Sequence, residues 1–299
     1  MSIRIVLAGS VSFSERTLAA LVRHGANVVG VLGLAESASE NVSDFARLDM
    51  IARDAGIAYA DFVKINDATV VEQVRAWKPD LMFVVGLSQL VRDELMSIPP
   101  KGSIGFHPTR LPKGRGRAPV AWLTYDGDDG AATFFVLEGE ADAGAIFVQE
   151  PFAVAKDAYA MDVIESVRDA IDRALDRWLP SLLAGEWNPT PQDESQASWY
   201  GKRAPEDGLI DWRRPAAEIY RLVRAASRPY PGAFTFLRDR KLLVWRARIA
   251  EVPFRGVIGR ILHIENGALL VQTGDGLLWI DEYEFVDGAP KLLVGAKLE

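Results

Sequence analysis

The chain reads as an α/β protein: a mostly parallel sheet in its N-terminal part, then a small β barrel or β-rich module. Three observations predict this. Apolar runs of strand length alternate with segments of helical spacing up to Phe106. Gly185–Ala197 is then rich in Pro, Asn, Gln and acid, as in a linker or a chain crossing a surface. Beyond it, short β runs are punctuated by Asn266-Gly267 and Gly274-Asp275-Gly276, which read as hairpin turns.

Taken in order, Ile3–Ala8 is a mostly apolar run, as in a strand buried on both faces. Gly9-Ser10-Val11-Ser12 is a turn, and Phe13–Arg23 has helical spacing. Val28–Leu32 is a second strand, Asp44–Ala55 a helix ended by Gly56, and Asp67–Trp77 another helix. Leu81–Val85 and Ser103–Phe106 are further buried strands. Such alternation implies right-handed βαβ units and a parallel sheet. Ala131–Val136 and Ala145–Val154 are strands around the polar loop Glu138–Gly144. Tyr159–Leu183 carries an apolar stripe of Val163, Val167, Ile171, Leu175, Trp178 and Leu182, with Pro180 expected to kink or end it early. After the linker come one helix, Pro215–Ala226, and β runs at Ala233–Phe236, Lys241–Ala250, Gly256–His263, Ala268–Thr273 and Leu277–Phe285. Lys297-Leu298-Glu299 has the look of an expression-vector remnant and is assigned no role.

Composition narrows the function. A chain of 299 residues has room for one large domain or two, and 49% hydrophobic with 25% charged residues is ordinary for a globular protein. The net charge of −7 argues against a large polyanionic partner, which usually meets a basic face. Zero cysteine removes disulfides, thiolate nucleophiles and Cys-ligated metals, and fits a cytoplasmic protein. No apolar stretch reaches the ~18–20 residues that span a bilayer. The N-terminus enters a strand with no signal-peptide layout.

The residues that carry chemistry follow from scarcity. The chain has three histidines. His24 lies at a helix end, where an exposed cation is a sufficient account, and His263 lies in the β module. His107 is different. It ends an apolar run and opens the loop Pro108–Pro119, rich in Pro, Gly and Arg, and α/β enzymes place their chemistry at the tip of such a strand. Asp142 lies among small residues in Leu137–Ile146, where a tight loop can aim one carboxylate. An aspartate facing a histidine fixes its tautomer and offsets its charge. Standing alone, it also reads as a turn residue. Arg115 and Arg117 are suited to carboxylate or phosphate. Arg228–Phe234 is a rigid loop whose Tyr230 can stack on a base or sugar. The full G-x-G-x-x-G fingerprint of dinucleotide binding is absent.

His107-x-x-x-Leu111-Pro112, followed by Arg115-Gly116-Arg117-Ala118-Pro119, resembles the N10-formyltetrahydrofolate-dependent formyltransferases. Ala141–Ile146, Tyr200–Gly208, Asp211-Trp212 and Arg228–Phe234 extend the resemblance over nearly the whole length. It is closest to the branch acting on UDP-4-amino-4-deoxy-L-arabinose. The resemblance implies a Rossmann-like catalytic domain over 1–184, a linker over 185–203 and an OB-like β domain over 204–299. It implies catalysis by His107 and Asp142, with the folate along Gly86, Leu87, Ser88, Gln89 and Leu90 and along Leu137, Gly139 and Glu140. The acceptor is expected near Ser10, Ser12, Phe13, Arg115, Arg117, Ala118, Pro119, Tyr230 and Gly232. No metal is expected.

One departure stands out: the family places a catalytic Asn two residues before the His, and here that position is Gly105. The Asn is thought to hold the formyl oxygen as it becomes an oxyanion, and losing such a donor costs on the order of 10²–10³ in rate. Either the Gly105 N–H, a water or another side chain takes its place, or the enzyme is slow, or the site has lost formyl transfer. The first is favoured because His107, Asp142 and the loop are all present. The expected acceptor is a small primary amine, with a nucleotide-linked amino sugar as the best guess. The alternatives are methionyl-tRNA, an impaired binding protein and a formyl hydrolase. Leu34–Asp44 and Gly185–Ala197 contain no Lys or Arg, which disfavours tRNA. Neither nucleic acid nor a membrane is an expected partner, and the β module offers a surface for a homodimer.

Overall fold

The computed structural model describes residues 2–288 and 290–299. The chain divides into two units. The first is Met1–Pro119, Asp129–Ala153 and Glu165–Gly201; the second is Val120–Asp128, Val154–Ile164 and Lys202–Glu299.

The first unit is built on a seven-stranded sheet. Its elements are β1 (Arg4–Gly9), α1 (Ser12–Arg23), β2 (Asn27–Leu34), α2 (Leu48–Asp54), β3 (Tyr59–Phe62), α3 (Ala68–Trp77), β4 (Leu81–Val85), α4 (Asp93–Met96), β5 (Ser103–His107) and β6 (Arg115–Gly116). After α5 (Pro119–Asp126), nearly all of which belongs to the second unit, come β7 (Gly130–Val136), β8 (Ile146–Phe152), α6 (Ala160–Leu183) and β9 (Trp199–Tyr200). The sheet order is β3-β2-β1-β4-β5-β7-β8. The first five strands are parallel, β7 pairs antiparallel with β5, and β8 pairs antiparallel with β7. The chain builds outward from β1 in one direction and then returns to build from β4 in the other, so the carboxyl ends of β1 and β4 border the switch point where α/β sheets bind ligands.

Burial explains the strand composition. Ile5, Val6, Leu7 and Ala8 of β1 and Leu81, Met82, Phe83 and Val85 of β4 are fully buried, because helices cover both faces of a parallel sheet. Val163, Val167, Ile171, Leu175 and Leu182 of the α6 stripe are buried and Trp178 is half-buried, each buried Leu or Ile contributing about 1.5–3 kcal/mol on transfer from water. Trp178 stacks on Phe134 and Phe147 with ring centroids 5.8 and 5.0 Å away. Pro180 does not end the helix, which runs on to Leu183. Its ring lies on the exposed side, so the carbonyl it leaves without a donor faces water. The short elements α4, β6 and β9 escape the sequence reading, and so do β3 and α5. β3 is four residues long and only half buried, and α5 follows directly on Ala118, whose φ is +50°. Pro119 opens α5, a position where the missing N–H costs nothing.

The second unit holds α7 (Ala216–Ala226), β10 (Ala233–Leu237), β11 (Arg240–Ala250), β12 (Ile261–Glu265), β13 (Ala268–Gln272) and β14 (Leu277–Phe285). Its five strands are antiparallel in the order β10-β11-β14-β13-β12. The run expected from Gly256 becomes a strand only at Ile261; Val257 and Ile258 before it are exposed. The two edges of this sheet are joined by the residues first assigned no role. Phe236 and Glu299 exchange backbone hydrogen bonds of 3.0 and 2.9 Å at the β10 edge. Leu298 N–H donates to Gly259 C=O, and Ile261 N–H to Ala296 C=O, at the β12 edge. Leu298 is 1% exposed and packs in one core with Leu237, Ile261, Leu269 and Val271. The terminal segment thus pairs with both open edges of the sheet, which otherwise expose unpaired backbone groups.

Leu298→Ala is expected to lower the unfolding free energy by about 2–5 kcal/mol, as for other buried leucines, while Lys297→Ala changes it by less than about 0.5 kcal/mol. Urea unfolding followed by tryptophan fluorescence checks this. Equal effects from the two variants would mean that the segment does not close the core.

Candidate active site

The carboxyl ends of β1 and β4 are tied together before any ligand is considered. Ser10 Oγ donates to Gly86 C=O at 2.7 Å, and Ser14 Oγ donates to Val85 C=O at 2.6 Å while accepting from Ser10 N–H at 3.0 Å. Ser12 donates to the Asp44 carboxylate. Burial pushes the Asp44 carboxyl up, against the opposing pull of Ser12 and Arg168. Phe13 packs on Phe106 with centroids 5.6 Å apart. The hydroxyls of Ser10 and Ser12, expected at the acceptor, are therefore engaged inside the protein.

The β5 end carries His107, 5% exposed. Its Nδ1 lies 3.5 Å from Asp142 Oδ2, and its Nε2 lies 2.8 Å from Gly114 C=O. Both neighbours are acceptors. A neutral ring satisfies one at a time, and a doubly protonated ring satisfies both. Asp142 Oδ2 also accepts the Gly116 N–H at 2.9 Å. Two residues 35 positions apart in the chain, each ambiguous by itself, thus face one another.

The loop that delivers Asp142 is unusual. Asp142 has φ of +57°, a left-handed conformation that costs a non-glycine residue roughly 1–2 kcal/mol. A Cβ on Gly144 would lie 1.8 Å from the Val136 carbonyl oxygen, so only glycine passes there. The loop returns to the sheet through Val136 N–H to Ala145 C=O at 2.8 Å and Leu137 N–H to Ser103 C=O at 2.8 Å.

Gly105 has a steric cause. A Cβ there would lie 2.7 Å from the Phe135 ring and 3.2 Å from Leu137 Cδ1. The ring occupies the space into which a side chain at position 105 would project. Of the three replacements considered for the missing amide, the Gly105 N–H is engaged elsewhere. Antiparallel pairs alternate between bonded and unbonded positions, and Leu137 N–H already bonds Ser103 C=O. Gly105, two residues on and opposite Phe135, falls at the next bonded pair, so its N–H belongs to the ladder.

The segments expected to line the folate divide in two. Gln89 is tied down: its Oε1 accepts from Ile65 N–H at 2.9 Å and its Nε2 donates to Val63 C=O at 2.8 Å. Leu87 and Leu137 pack on the core around β4, whereas Ser88, Leu90, Gly139 and Glu140 are exposed, Leu90 at 77%. Of the residues expected at the acceptor, Arg117 is exposed and its guanidinium has no partner among the described residues; Ala118 and Pro119 are half-buried. Tyr230 and Gly232 lie in the second unit, between α7 and β10.

Arg115 is placed otherwise than expected. Its side chain is fully buried, and the guanidinium bonds Glu194 at 2.6 and 2.8 Å and Gln192 Oε1 at 2.8 Å. It is closed off from an acceptor by residues 77 and 79 positions away. Gln192 in turn donates to Asp142 C=O at 2.8 Å and Gly144 C=O at 2.7 Å. Gln192 and Glu194 escaped the sequence reading because they sit in the segment taken as a linker; the one available signal was its acid- and amide-rich composition. A cavity of about 220 Å³ between Leu81, Lys101 and Trp187 lies at the amino end of β4, away from His107. Among the described residues no His, Asp and Glu group of three or more converges to hold a metal.

The Arg115 guanidinium holds the Glu194 carboxyl below its ordinary value. A depressed carboxyl stabilises the fold above its unfolded value of about 4.3, and the contribution is lost as pH falls through the lower folded value. Wild type should therefore exceed Glu194→Gln in urea midpoint at pH 7, with the gap closing below about pH 4. A gap independent of pH would show that the pair does not titrate with folding.

Comparison with known proteins agrees with this architecture. The Formyl transferase family model matches residues 2–179, and the model of the Formyl transferase C-terminal domain matches residues 202–290. Among solved structures, HypX from Aquifex aeolicus in complex with tetrahydrofolic acid superposes with TM-score 0.68 at 21% identity over 95% of this chain; the chain spans 44% of the HypX chain. WlaRD, a sugar 3N-formyl transferase determined in the presence of dTDP and 5-N-formyl-THF, gives TM-score 0.67 at 15% identity over 96% of this chain and 99% of its own. Methionyl-tRNA formyltransferase from Clostridium thermocellum gives 0.59 at 18% identity, over 96% and 100%. At these identities the superpositions speak to the fold, and the family matches, which together cover most of the sequence, show that this chain belongs to the formyl transferase family.

Proposed function

We propose that the protein transfers a formyl group from N10-formyltetrahydrofolate to a primary amine of a small acceptor, with a nucleotide-linked amino sugar as the best candidate. The observation that carries this is the His107–Asp142 pair, 3.5 Å apart at the carboxyl end of β5, beside the switch point of the sheet. The amine attacks the formyl carbon, His107 accepts the proton released, and Asp142 offsets the charge that appears on the ring. The tetrahedral intermediate collapses, and N10 leaves with a proton. With the Nδ1–H of a neutral His107 donated to Asp142, Nε2 carries the lone pair and is the atom that meets the amine, turning from the Gly114 carbonyl, to which it then donates nothing, toward the acceptor. Such bonds rearrange when the reactive complex forms.

The exposed Arg117 supports an anionic acceptor such as a nucleotide diphosphate. The net charge of −7 and the absence of Lys and Arg from Leu34–Asp44 weigh against tRNA. Gly105 and Phe135 together imply that the developing oxyanion is met by a water or by a side chain elsewhere, since residue 105 offers no donor.

Incubation with N10-formyltetrahydrofolate and a panel of UDP-, dTDP- and GDP-linked amino sugars, with initiator tRNA as control, should add one CO to a single nucleotide sugar, read by mass spectrometry. His107→Ala should lower that turnover by ~10²–10⁴. Near-normal turnover of the variant would remove His107 from the reaction, and formylation of tRNA alone would reassign the acceptor. Gly105→Asn should not raise turnover, because the Phe135 ring stands in the way; a gain would show that the slot opens.

A further inference from the structure

The Asp142 carboxylate is aimed by a loop that cannot hold itself. Gly139, Glu140 and Ala141 are exposed. The one turn bond within the loop, Ala143 N–H to Glu140 C=O, is long at 3.5 Å. Asp142 is held in a left-handed conformation that the free chain disfavours. Its orientation has to be imposed from outside.

The imposing group is a chain of hydrogen bonds centred on the buried Arg115, with Gln192 half-buried and Glu194 exposed. Gln192 Nε2 donates to the carbonyls of Asp142 and Gly144, one on each side of Ala143. An unanchored amide would lose these bonds by rotating, but Gln192 Oε1 accepts from Arg115 Nη2 at 2.8 Å and Nε at 3.3 Å, which fixes the amide plane. Arg115, buried and therefore costly unless its donors are met, gives its remaining bonds to Glu194. The backbone repeats the tie. Arg115 N–H donates to Ser198 C=O, Gly114 N–H to Ser198 Oγ and Arg117 N–H to Tyr200 C=O, and β6 pairs with β9. Between Arg115 and Arg117 sits Gly116, whose N–H grips the Asp142 carboxylate, and before them sits Gly114, whose carbonyl meets His107.

We propose that Gln192 and Arg115, tethered by Glu194, are positioning residues that hold the Asp142 carboxylate against His107. The segment 192–200 acts as a strap across the two loops that form the pair. The inference rests on the reading of His107 and Asp142 as the reacting pair. In it Arg115 serves the enzyme from inside rather than by touching the acceptor.

The test is a double-mutant cycle on the full-length enzyme with its formyl donor and the acceptor found in the panel. Gln192→Ala should lower kcat about 10- to 100-fold, since a displacement near 1 Å suffices for that, with KM for both substrates within about twofold. In an Asp142→Asn background the same substitution should lower kcat by less than about twofold, because the carboxylate it positions is gone. Arg115→Lys should behave as Gln192→Ala does, a single ammonium being unable to bridge Gln192 and Glu194 as the fork does. Should Arg115→Lys fail to fold, the Gln192 cycle decides alone. An equal loss of kcat from Gln192→Ala in both backgrounds would overturn the proposal, as the residue would then support the fold at large. Unchanged turnover in Asp142→Asn itself would instead overturn the reading of the pair, and the strap with it, through a different variant.

Discussion

A guanidinium shut away from water lies beside the two loops that bring His107 and Asp142 together. Arg115 cannot stay buried unless its donors are met, and the groups that meet them are Gln192 and Glu194. Gln192 then fixes the backbone around Asp142, whose own conformation is unfavourable, and the strand pairing at Arg115 and Gly116 fixes the N–H that holds the carboxylate. Without the buried cation, Gln192 would lose the bonds that fix its amide plane, and the left-handed turn at Asp142 would lose part of its external support. A constraint next to the His107–Asp142 pair thereby sets the pair's geometry, which is the usual way a loop site is made rigid.

The absence of a side chain at Gly105 belongs to the same economy of space. Phe135, on the neighbouring strand, fills the volume next to Gly105, and Phe134 beside it stacks into the aromatic group around Trp178. An amide at 105 and the present Phe135 exclude one another. The site consequently lacks the amide its family places there, and the backbone of Gly105 cannot substitute because it is bound in the sheet.

The second unit shows how little of a closed β structure is local. Its five strands read well from alternation and turn residues, and Leu277–Phe285 matches the reading residue for residue. The pairing of both sheet edges by Leu298 and Glu299 has no local signature. A leucine in a short segment beyond the last strand looks the same whether it is buried or free, and only contact with Leu237 and Ile261, far away in sequence, makes it part of the core.

The amino-acid order by itself determined the α/β class, the buried parallel strands, the long helix from Ala160 and the singling out of His107 and Asp142, because periodicity, breaker residues and scarcity are properties of short stretches. Tertiary structure decided what each charged residue faces. Arg115 and Arg117 are two positions apart and look alike in sequence, yet one is buried against Glu194 and the other is exposed. Ser10 and Ser12, expected near the acceptor, are bonded to Gly86 and Asp44. A charge or hydroxyl takes its role from the nearest partner in space, and these partners lie from 32 to 79 residues away along the chain, beyond what any local pattern reports.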